Sequence, residues 1–558
     1  MSKKVMQRIA IVVMIAALVV VPVLAFFSSE SGSEYAYEIP RMLGMEGEGN
    51  EVARLDGPPT TDVSKPIFET HGKAVSLDKD LRDLPQVGPD DKKPAREMGT
   101  PPNLGPNGDG MDAVLQAPSA LSAPAPAPSG SFKGLDLQNW GAGWPPDTHG
   151  DVGPNHYIQA VNTSIGVFDK STGTRLAAFT FNNFFIANGG TGTCATYNYG
   201  DPVVLYDQVS GRWIISDFAF ASASKPPYYE CIAVSKTADP VSGGWWLYTM
   251  VADTASLNDY PKFGIWSDGI YMSANMFKRG RTYAGAKLWA LNRDDLISGA
   301  ALRSVAFTLG TSYFSLLPAN FKGATPPAGT PEYFMSDYGS NTNVKLWKFT
   351  VNWTSPSSST LTGPTSIAVS AFTRPSSNSV PQLGSTEKLD TLGDRLMTWL
   401  QYRNIGGTES LWVSRTVVSG TTYGLRWMEV RNMKTTPSVY QQGTYAPDAN
   451  YRWMPSLAVN KNGDMAIGYS VSSSSMYPAI RYAGRLSTDA LGTLGLTEAT
   501  MIAGTGAQSG GYNRWGDYAS MSVDPVDDCT FWFTTEYYET TGNNWQTRIG
   551  SVKFPTCP

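Results

Sequence analysis

Histidine and cysteine are scarce in this chain, with three of the former and four of the latter in 558 residues. The histidines are His71, His149 and His156, and no C-x-x-C spacing occurs, so a cysteine-based zinc centre is excluded. Charged residues reach only 16%, below the usual quarter. Sustained apolar periodicity of 3.6 residues is missing, which excludes a helical bundle. No P-loop, EF-hand spacing, G-x-S-x-G or H-E-x-x-H is present, which removes the commonest nucleotide, calcium-loop, hydrolase and zinc-protease signatures.

What remains is rich in turns and rings. There are 55 glycines and 38 prolines, and aromatics make up 12%. That composition fits many short strands joined by tight turns. The first residues stand apart. Lys3, Lys4 and Arg8 precede an apolar run from Ile9 to Ala25, and Val23-Leu24-Ala25 fits a cleavage site, so residues 1–25 read as a signal peptide. The run continues through Phe27, which leaves an uncleaved N-terminal anchor as the competing reading. Either way the chain is exported, secreted or attached to the envelope.

Residues 26–131 read as an acidic, Pro/Gly-rich linker or propeptide, largely disordered, ending in "APSALSAPAPAPSGS". They carry 17 acidic against 9 basic side chains, whereas residues 132–558 carry 31 of each. A neutral main domain argues against nucleic acid as a partner. It leaves a glycan or a cell-surface protein, with membrane contact only through an uncleaved anchor and the chain itself a monomer.

Residues 132–558 repeat. "RWGDYASMSVDPVDDCTFWFTTEYY" at Arg514 has a polar and aromatic lead-in, a strand, an acidic turn and a second strand. "YRWMPSLAVNKNGDMAIGYSVS" at Tyr451 has the same plan. Similar segments give markers at Asp151, Asp201, Tyr260, Tyr333, Leu392, Arg452 and Trp515, with steps of 50, 59, 73, 59, 60 and 63. A period near 60 predicts an all-β repeat fold, a seven-bladed β-propeller. Six or eight blades stay open because long loops blur the count. Four exported cysteines allow three disulfide connectivities. The repeat favours Cys194–Cys231 and Cys529–Cys557 as staples between neighbouring strands, each worth about 3 kcal/mol in the chain-entropy view.

The runs "GWPPDTHGDVGPNHYIQAVN", "DYPKFGIWSDGIYMSAN" and "RWGDYASMSVDPVDDCTFWFTTEY" resemble those of secreted bacterial β-propeller proteins of largely unassigned activity. A weaker resemblance is to sialidase-type propellers, whose Asp-box turns read S-x-D-x-G-x-T-W. Ser522, Asp524, Thr530 and Trp532 echo that box, and Asp207, Gly211 and Trp213 do so at altered spacing. The resemblance implies fold and export. It carries no catalytic residues.

In a propeller the segments before the inner strands meet at one mouth of the central channel. Here they supply Asp147, His149, Asp151, His156, Asp201, Asp259, Tyr260 and Lys262. Later segments add Asp390, Asp394, Arg395, Arg452, Trp453, Arg514, Trp515 and Asp517. Carboxylates, guanidinium groups and indoles in one bowl suit a sugar. The expected function is an extracellular binding or interaction module for a glycan or surface partner. The alternative is a carbohydrate-active enzyme, either a sialidase-like glycoside hydrolase working through two carboxylates or a polysaccharide lyase using His149 or His156 with Tyr260. Glu230, beside Tyr228 and Tyr229, is a further candidate for a Tyr–Glu pair.

Structural roles compete for the same residues. Asp151, Asp201 and Asp517 can tie adjacent blades through backbone amides, Trp453 and Trp515 can be packing, and His156 can be a satisfied structural histidine. No cofactor is required. Calcium would be held by Asp524, Asp527 and Asp528, which otherwise cap a hairpin turn. Arg452 and Arg514, at equivalent positions, are expected at one mouth with Asp517 and either Asp151 or Asp201 within pairing reach.

Overall fold

The structure is a computed structural model that describes residues 55, 57–58, 60–89, 112–116, 123–511 and 513–557. The leader read over residues 1–25 lies outside the described residues, as does most of the acidic segment. No helix among the described residues is long and apolar enough to cross a membrane.

Local sequence explains the strands. Val203–Asp207 and Arg212–Ala219 alternate branched and aromatic residues around a short turn, pairing Arg212 with Asp207 and Trp213 with Tyr206. In that turn Asp207 Oδ1 accepts the Val209 N–H at 3.0 Å and Gly211 sits at φ +65°, a conformation that favours glycine. Such hairpins recur along the chain. Among the described residues they form seven successive antiparallel units of four strands, over 149–180, 203–253, 256–309, 317–368, 397–445, 451–502 and 520–552, the last completed from outside.

The seven first strands are His149–Val152, Val203–Asp207, Ser256–Ile265, Leu317–Phe321, Met397–Ile405, Tyr451–Val459 and Ser520–Val523. Each touches the next, and the seventh touches the first, so they close a ring around a central channel. Neighbours run the same way, and in one place they pair directly: Ala319 faces Leu400 and Phe321 faces Tyr402 in parallel register. This is the architecture of a β-propeller. Its core lies in the seams between units, where Trp213, Trp245, Trp266, Trp289, Trp347 and Trp427 are fully buried. The aromatic content of the sequence is therefore seam packing.

The marker at Tyr333 is one strand out of phase. It lies on the second strand of the fourth unit, Glu332–Ser336, whose first strand is Leu317–Phe321. The lead-in to that strand is Ser312-Tyr313-Phe314-Ser315, and taking the marker from the second strand instead lengthens the step before it to 73.

The segment before residue 132 is more than a linker. Ile67–Lys73 pairs with the outer strand of the third unit and Val75–Leu77 with that of the second. The Gln86 side chain bonds the Ala178 N–H of the first unit at 2.8 Å. Farther on, Gln116 donates its N–H to Thr444 of the fifth unit, and Ala123–Pro124 runs beside the outer strand of the sixth. Gly130–Asp136 then crosses the boundary drawn at residue 132 and becomes the fourth strand of the seventh unit, paired with Gln546–Val552. The described parts form a strap over the outer edges. Charge and proline suggested a solvated chain, yet open edges offer backbone partners that such a chain satisfies. Leu77, Leu81 and Leu84 of the strap are buried. Deleting residues 60–89 is expected to lower the unfolding temperature and increase self-association, read by calorimetry and light scattering, since each of these leucines contributes about 1.5–3 kcal/mol of burial.

Both expected disulfides are present. Cys194–Cys231 ties the loop after the first unit to the third strand of the second, with Cα atoms 5.8 Å apart. Cys529–Cys557 ties the turn of the last unit to the chain end at 5.6 Å.

Candidate functional site at the channel mouth

Because the first strands run in parallel, the segments that lead into them gather at one mouth. Several lead-ins hold a non-glycine residue at positive φ just before or at the strand: Asp147 at +48°, Asp201 at +49°, Tyr260 at +55°, Ser315 at +47° and Met454 at +54°. The bend turns each side chain or amide toward the neighbouring unit. Asp201 Oδ2 accepts the Tyr260 N–H at 3.0 Å, and Asp147 Oδ1 accepts the Asp517 N–H at 2.9 Å. Asn162 bridges the first and second units, donating to Asp147 Oδ2 at 2.7 Å and accepting the Asp201 N–H at 2.9 Å. Gly200, at φ +100°, lies against Asn162 so closely that a Cβ would collide with it.

The mouth thus brings together Asp147, Asp201, Asp517, Arg514, Lys262 and Tyr260. Arg514 pairs with Asp517 and reaches Asp390 at 4.0 Å. Arg395 grips Asp394 through two bonds of 2.8 and 3.0 Å and lies over the Tyr260 ring at 4.6 Å. Lys262 is buried, donates to the Pro261 carbonyl at 2.9 Å, and sits over the faces of Tyr260 at 3.4 Å and Tyr518 at 4.1 Å. Burial pushes its ammonium down to about 8, against the pull of Asp201 and Asp517. Burial, with the charges of Asp517 and Asp201, raises the Asp147 carboxyl well above its usual range. Asp201 is raised by burial and by Asp259 and Asp517, and Asp390 by burial against Arg514.

Below the mouth the channel is filled. The His149 ring meets Trp399 edge-on at 4.8 Å and Tyr518 at 5.5 Å, and Tyr260 meets Tyr518 at 6.0 Å. These rings come from the first, fifth, seventh and third units. His149 Nδ1 accepts the Val204 N–H at 3.1 Å, and burial lowers its imidazole well below the ordinary value. It is held neutral as a wall residue.

Five residues expected at the mouth are placed elsewhere. Arg452 belongs to another place: it is buried, bonds Glu498 at 3.0 Å through both Nε and Nη2, and pairs with Asp448 at 2.8 Å. Tyr451–Trp453 extend the first strand of the sixth unit, so Arg452 pairs with Val471 in the sheet, whereas residues 513–519 stay in a loop that turns Arg514 inward. Asp151 sits deeper. It accepts the Tyr206 N–H at 2.8 Å and pairs with Lys322 of the fourth unit at 2.8 Å, two roles that close the far end. His156 begins a second strand, opposite Asp169, and is also at the far end. Trp453 and Trp515 do lie side by side, 5.5 Å apart, but both are buried as seam packing.

The acidic turn is at the far end too. Asp524 pairs with Lys170 at 3.0 Å and accepts from Trp532 Nε1 at 3.1 Å, so the Asp-box echo has a real Asp–Trp bond. Asp527 accepts the Cys529 and Thr530 amides at 2.9 Å, and Asp528 pairs with Arg403 at 2.8 Å. The three serve different partners, and among the described residues no group of three or more His, Cys, Asp or Glu is arranged to hold a metal ion.

Glu230, which the sequence could not locate, stands behind the mouth. It is fully buried, accepts from Asn258 at 2.8 Å, and feels Asp201 and Lys262. Burial raises its carboxyl to about 8. A raised carboxyl binds more protons folded than unfolded between its ordinary pKa and about 8, so stability falls across that window. Glu230→Gln is therefore expected to match the parent near pH 4 and exceed it near pH 9. Unfolding temperatures that stay parallel across that range contradict this.

No protein-family model matches the chain, and no curated protein matches it. The solved structures to which it is similar include a Penicillium chrysogenum alpha-L-arabinanase complexed with arabinobiose, at 10% identity and TM-score 0.32, covering 58% of this chain and 89% of that one. An exo-beta-1,3-galactanase from Clostridium thermocellum is similar at 11% identity and TM-score 0.29, covering 73% and 95%. Extracellular domains 1-2 of Drosophila semaphorin 1b are similar at 7% identity and TM-score 0.34, covering 77% and 88%. All three stand at scores too low to transfer an activity.

Proposed function

We propose that the protein is a seven-bladed β-propeller acting outside the cytoplasm as a binding module, with a glycan held at the channel mouth. The observation that carries this reading is the ring plug of His149, Trp399, Tyr518 and Tyr260 beneath a mouth of fixed hydrogen-bonding groups. A plugged channel leaves a shallow polar bowl. A sugar lying there meets carboxylate acceptors from Asp201 and Asp517 and guanidinium donors from Arg395 and Arg514. Two disulfides fit an oxidising compartment.

The glycoside hydrolase alternative draws on the raised carboxyls of Asp147, Asp201 and Glu230. Against it stands the packing of His149, Trp399, Tyr518 and Tyr260, which fills the channel beneath the mouth. The test is an oligosaccharide array on the full chain, followed by product analysis of each hit. Asp201→Asn keeps an oxygen for the Tyr260 N–H and puts an amide in place of the carboxyl. It is expected to weaken array binding at least tenfold with an unchanged unfolding temperature, and no product is expected. Released sugar from the parent would replace binding with catalysis.

A further inference from the structure

Among the described residues, six of the seven outer strands carry part of the strap. Arg175–Thr180 holds the Gln86 side chain. Trp245–Asp253 pairs with Val75–Leu77, and Ala301–Leu309 with Ile67–Lys73. Ser438–Tyr445 meets Leu115, Leu496–Ile502 pairs with Ala123–Pro124, and Gln546–Val552 with Gly130–Asp136. The exception is Thr360–Ala368, the fourth strand of the fourth unit, which among the described residues pairs with Asn343–Thr350 alone. Its bare edge is also short. The register shifts between Thr362 and Thr365, where Gly363 sits at φ +119° and Pro364 has no N–H to offer. Such a break guards an edge against indiscriminate pairing. It leaves Thr365–Ala368 open, about 13 Å of extended chain.

A groove of about 520 Å³ lies beside those four residues. The fourth and fifth units join through their first strands, so they form one sheet that ends in Thr360–Ala368 on one side and Ser438–Tyr445 on the other. The groove runs between these two ends, lined by Ser366, Ile367 and Ala368 and by residues 437–442, none of them charged. Ile367 is buried and Val439 half-buried, both packed into the core between units. Tyr440 is 44% exposed. The Arg431 guanidinium lies over its ring at 3.4 Å and is itself held by Glu429, and among the described residues no other ring packs on Tyr440. The strap reaches one end of the groove. Thr444 bonds Val114 and Gln116, and Asp112 pairs with Arg426, whose Nη1 donates to Ser370 O just past Ala368.

We infer that this groove docks an extended, uncharged segment of a partner polypeptide, which adds a strand to Thr365–Ala368 and lays an apolar side chain on Tyr440. The inference is independent of the glycan reading at the mouth. The strap shows what these outer edges accept: on five of them the protein's own extended backbone supplies the partner. The fourth unit presents the same kind of edge, continuous with the strap's path and without its own strand. In strand addition the main chain supplies affinity, and a pocket for alternate side chains supplies choice. Here the choice falls to an uncharged groove with one braced ring. A sugar could use the ring, but the open backbone edge beside it serves a polypeptide.

The experiment selects a display library of seven-residue peptides on the full chain. Selected peptides are then titrated, unmodified and N-methylated at either alternate set of residues, against the parent, Tyr440→Ala and Ser366→Arg, each with its unfolding temperature. Both substituted residues are exposed, so stability is expected to stay at the parent value. Tyr440→Ala is expected to bind about tenfold more weakly, and Ser366→Arg, which fills the groove, at least tenfold more weakly. At least one of the two N-methylated sets should lose binding, because it removes the amides that join the edge. A library that yields no binder overturns the inference, as does parental binding by both variants. Undiminished binding by both N-methylated sets overturns strand addition. An oligosaccharide bound by the parent and lost in Tyr440→Ala, with no peptide selected, would make the groove a sugar site instead. Should Tyr440→Ala prove unstable, parental binding by Ser366→Arg still overturns the site.

Discussion

Deleting Gly130–Asp136 is expected to abolish the cooperative unfolding transition. This strand is the fourth of the seventh unit, supplied by a segment that precedes the first unit in sequence, and it closes the ring by pairing with Gln546–Val552. Leu135, next to its last residue, is fully buried, its N–H donates to Gln159 Oε1 of the first unit at 2.7 Å, and its carbonyl accepts from Thr547 of the seventh at 2.6 Å. Losing one buried leucine alone costs about 2–5 kcal/mol. Each lost backbone bond adds about 1 kcal/mol. Set against a net stability of about 5–15 kcal/mol, the sum leaves little folded protein. Near-UV circular dichroism and calorimetry read the result. Lys133→Ala, which removes only an exposed pair with Glu539, should leave the transition in place. A deletion variant that still melts sharply near the parent temperature would refute the closure role.

Arg452→Ala is expected to cost about 3–5 kcal/mol, as removal of one partner from a buried ion pair does. The side chain is fully buried and holds Glu498, itself bonded by the Tyr469 hydroxyl at 2.8 Å and paired with Arg481. Burial works to raise the Glu498 carboxyl, but the Arg452 bonds outweigh it and the carboxyl lies below its usual range. A depressed carboxylate stabilises the fold above its unfolded pKa, and that contribution disappears as pH falls through the folded value. The gap between parent and variant should accordingly be widest near neutral pH and narrow on acidification. The same substitution should leave glycan binding at the mouth intact wherever the protein remains folded, because Arg452 faces its own sheet. An equal loss of stability at pH 7 and pH 3 would mean that Arg452 acts by packing alone.

The two arginines show how far pattern reading reaches. Each begins an Arg-Trp pair, and the tryptophans do stand together in one seam. The arginines separate because one lead-in continues as strand and the other loops, a difference of backbone pairing that the pair itself does not encode. Asp151 and Asp201 look alike in the same way, as carboxylates near the start of a unit. A bend at φ +49° puts Asp201 at the mouth, while Asp151, two residues into its strand, meets Lys322 across the channel.

The all-β repeat and its period were legible along the chain because hairpins are local and their turn residues recur at fixed spacing, and the repeat favoured, among three connectivities, the disulfide pairing that is present. The sequence also marked the lead-ins as the place where polar groups converge. Tertiary contacts alone decide which of those groups converge, that aromatic rings from four units fill the channel, and that the described parts of an acidic, proline-rich segment strap the outer edges. Those facts depend on contacts between residues hundreds of positions apart, such as Leu135 with Thr547 and Asp147 with Asp517. Ring closure creates these contacts, and no periodicity along the chain records which side chain faces which across it.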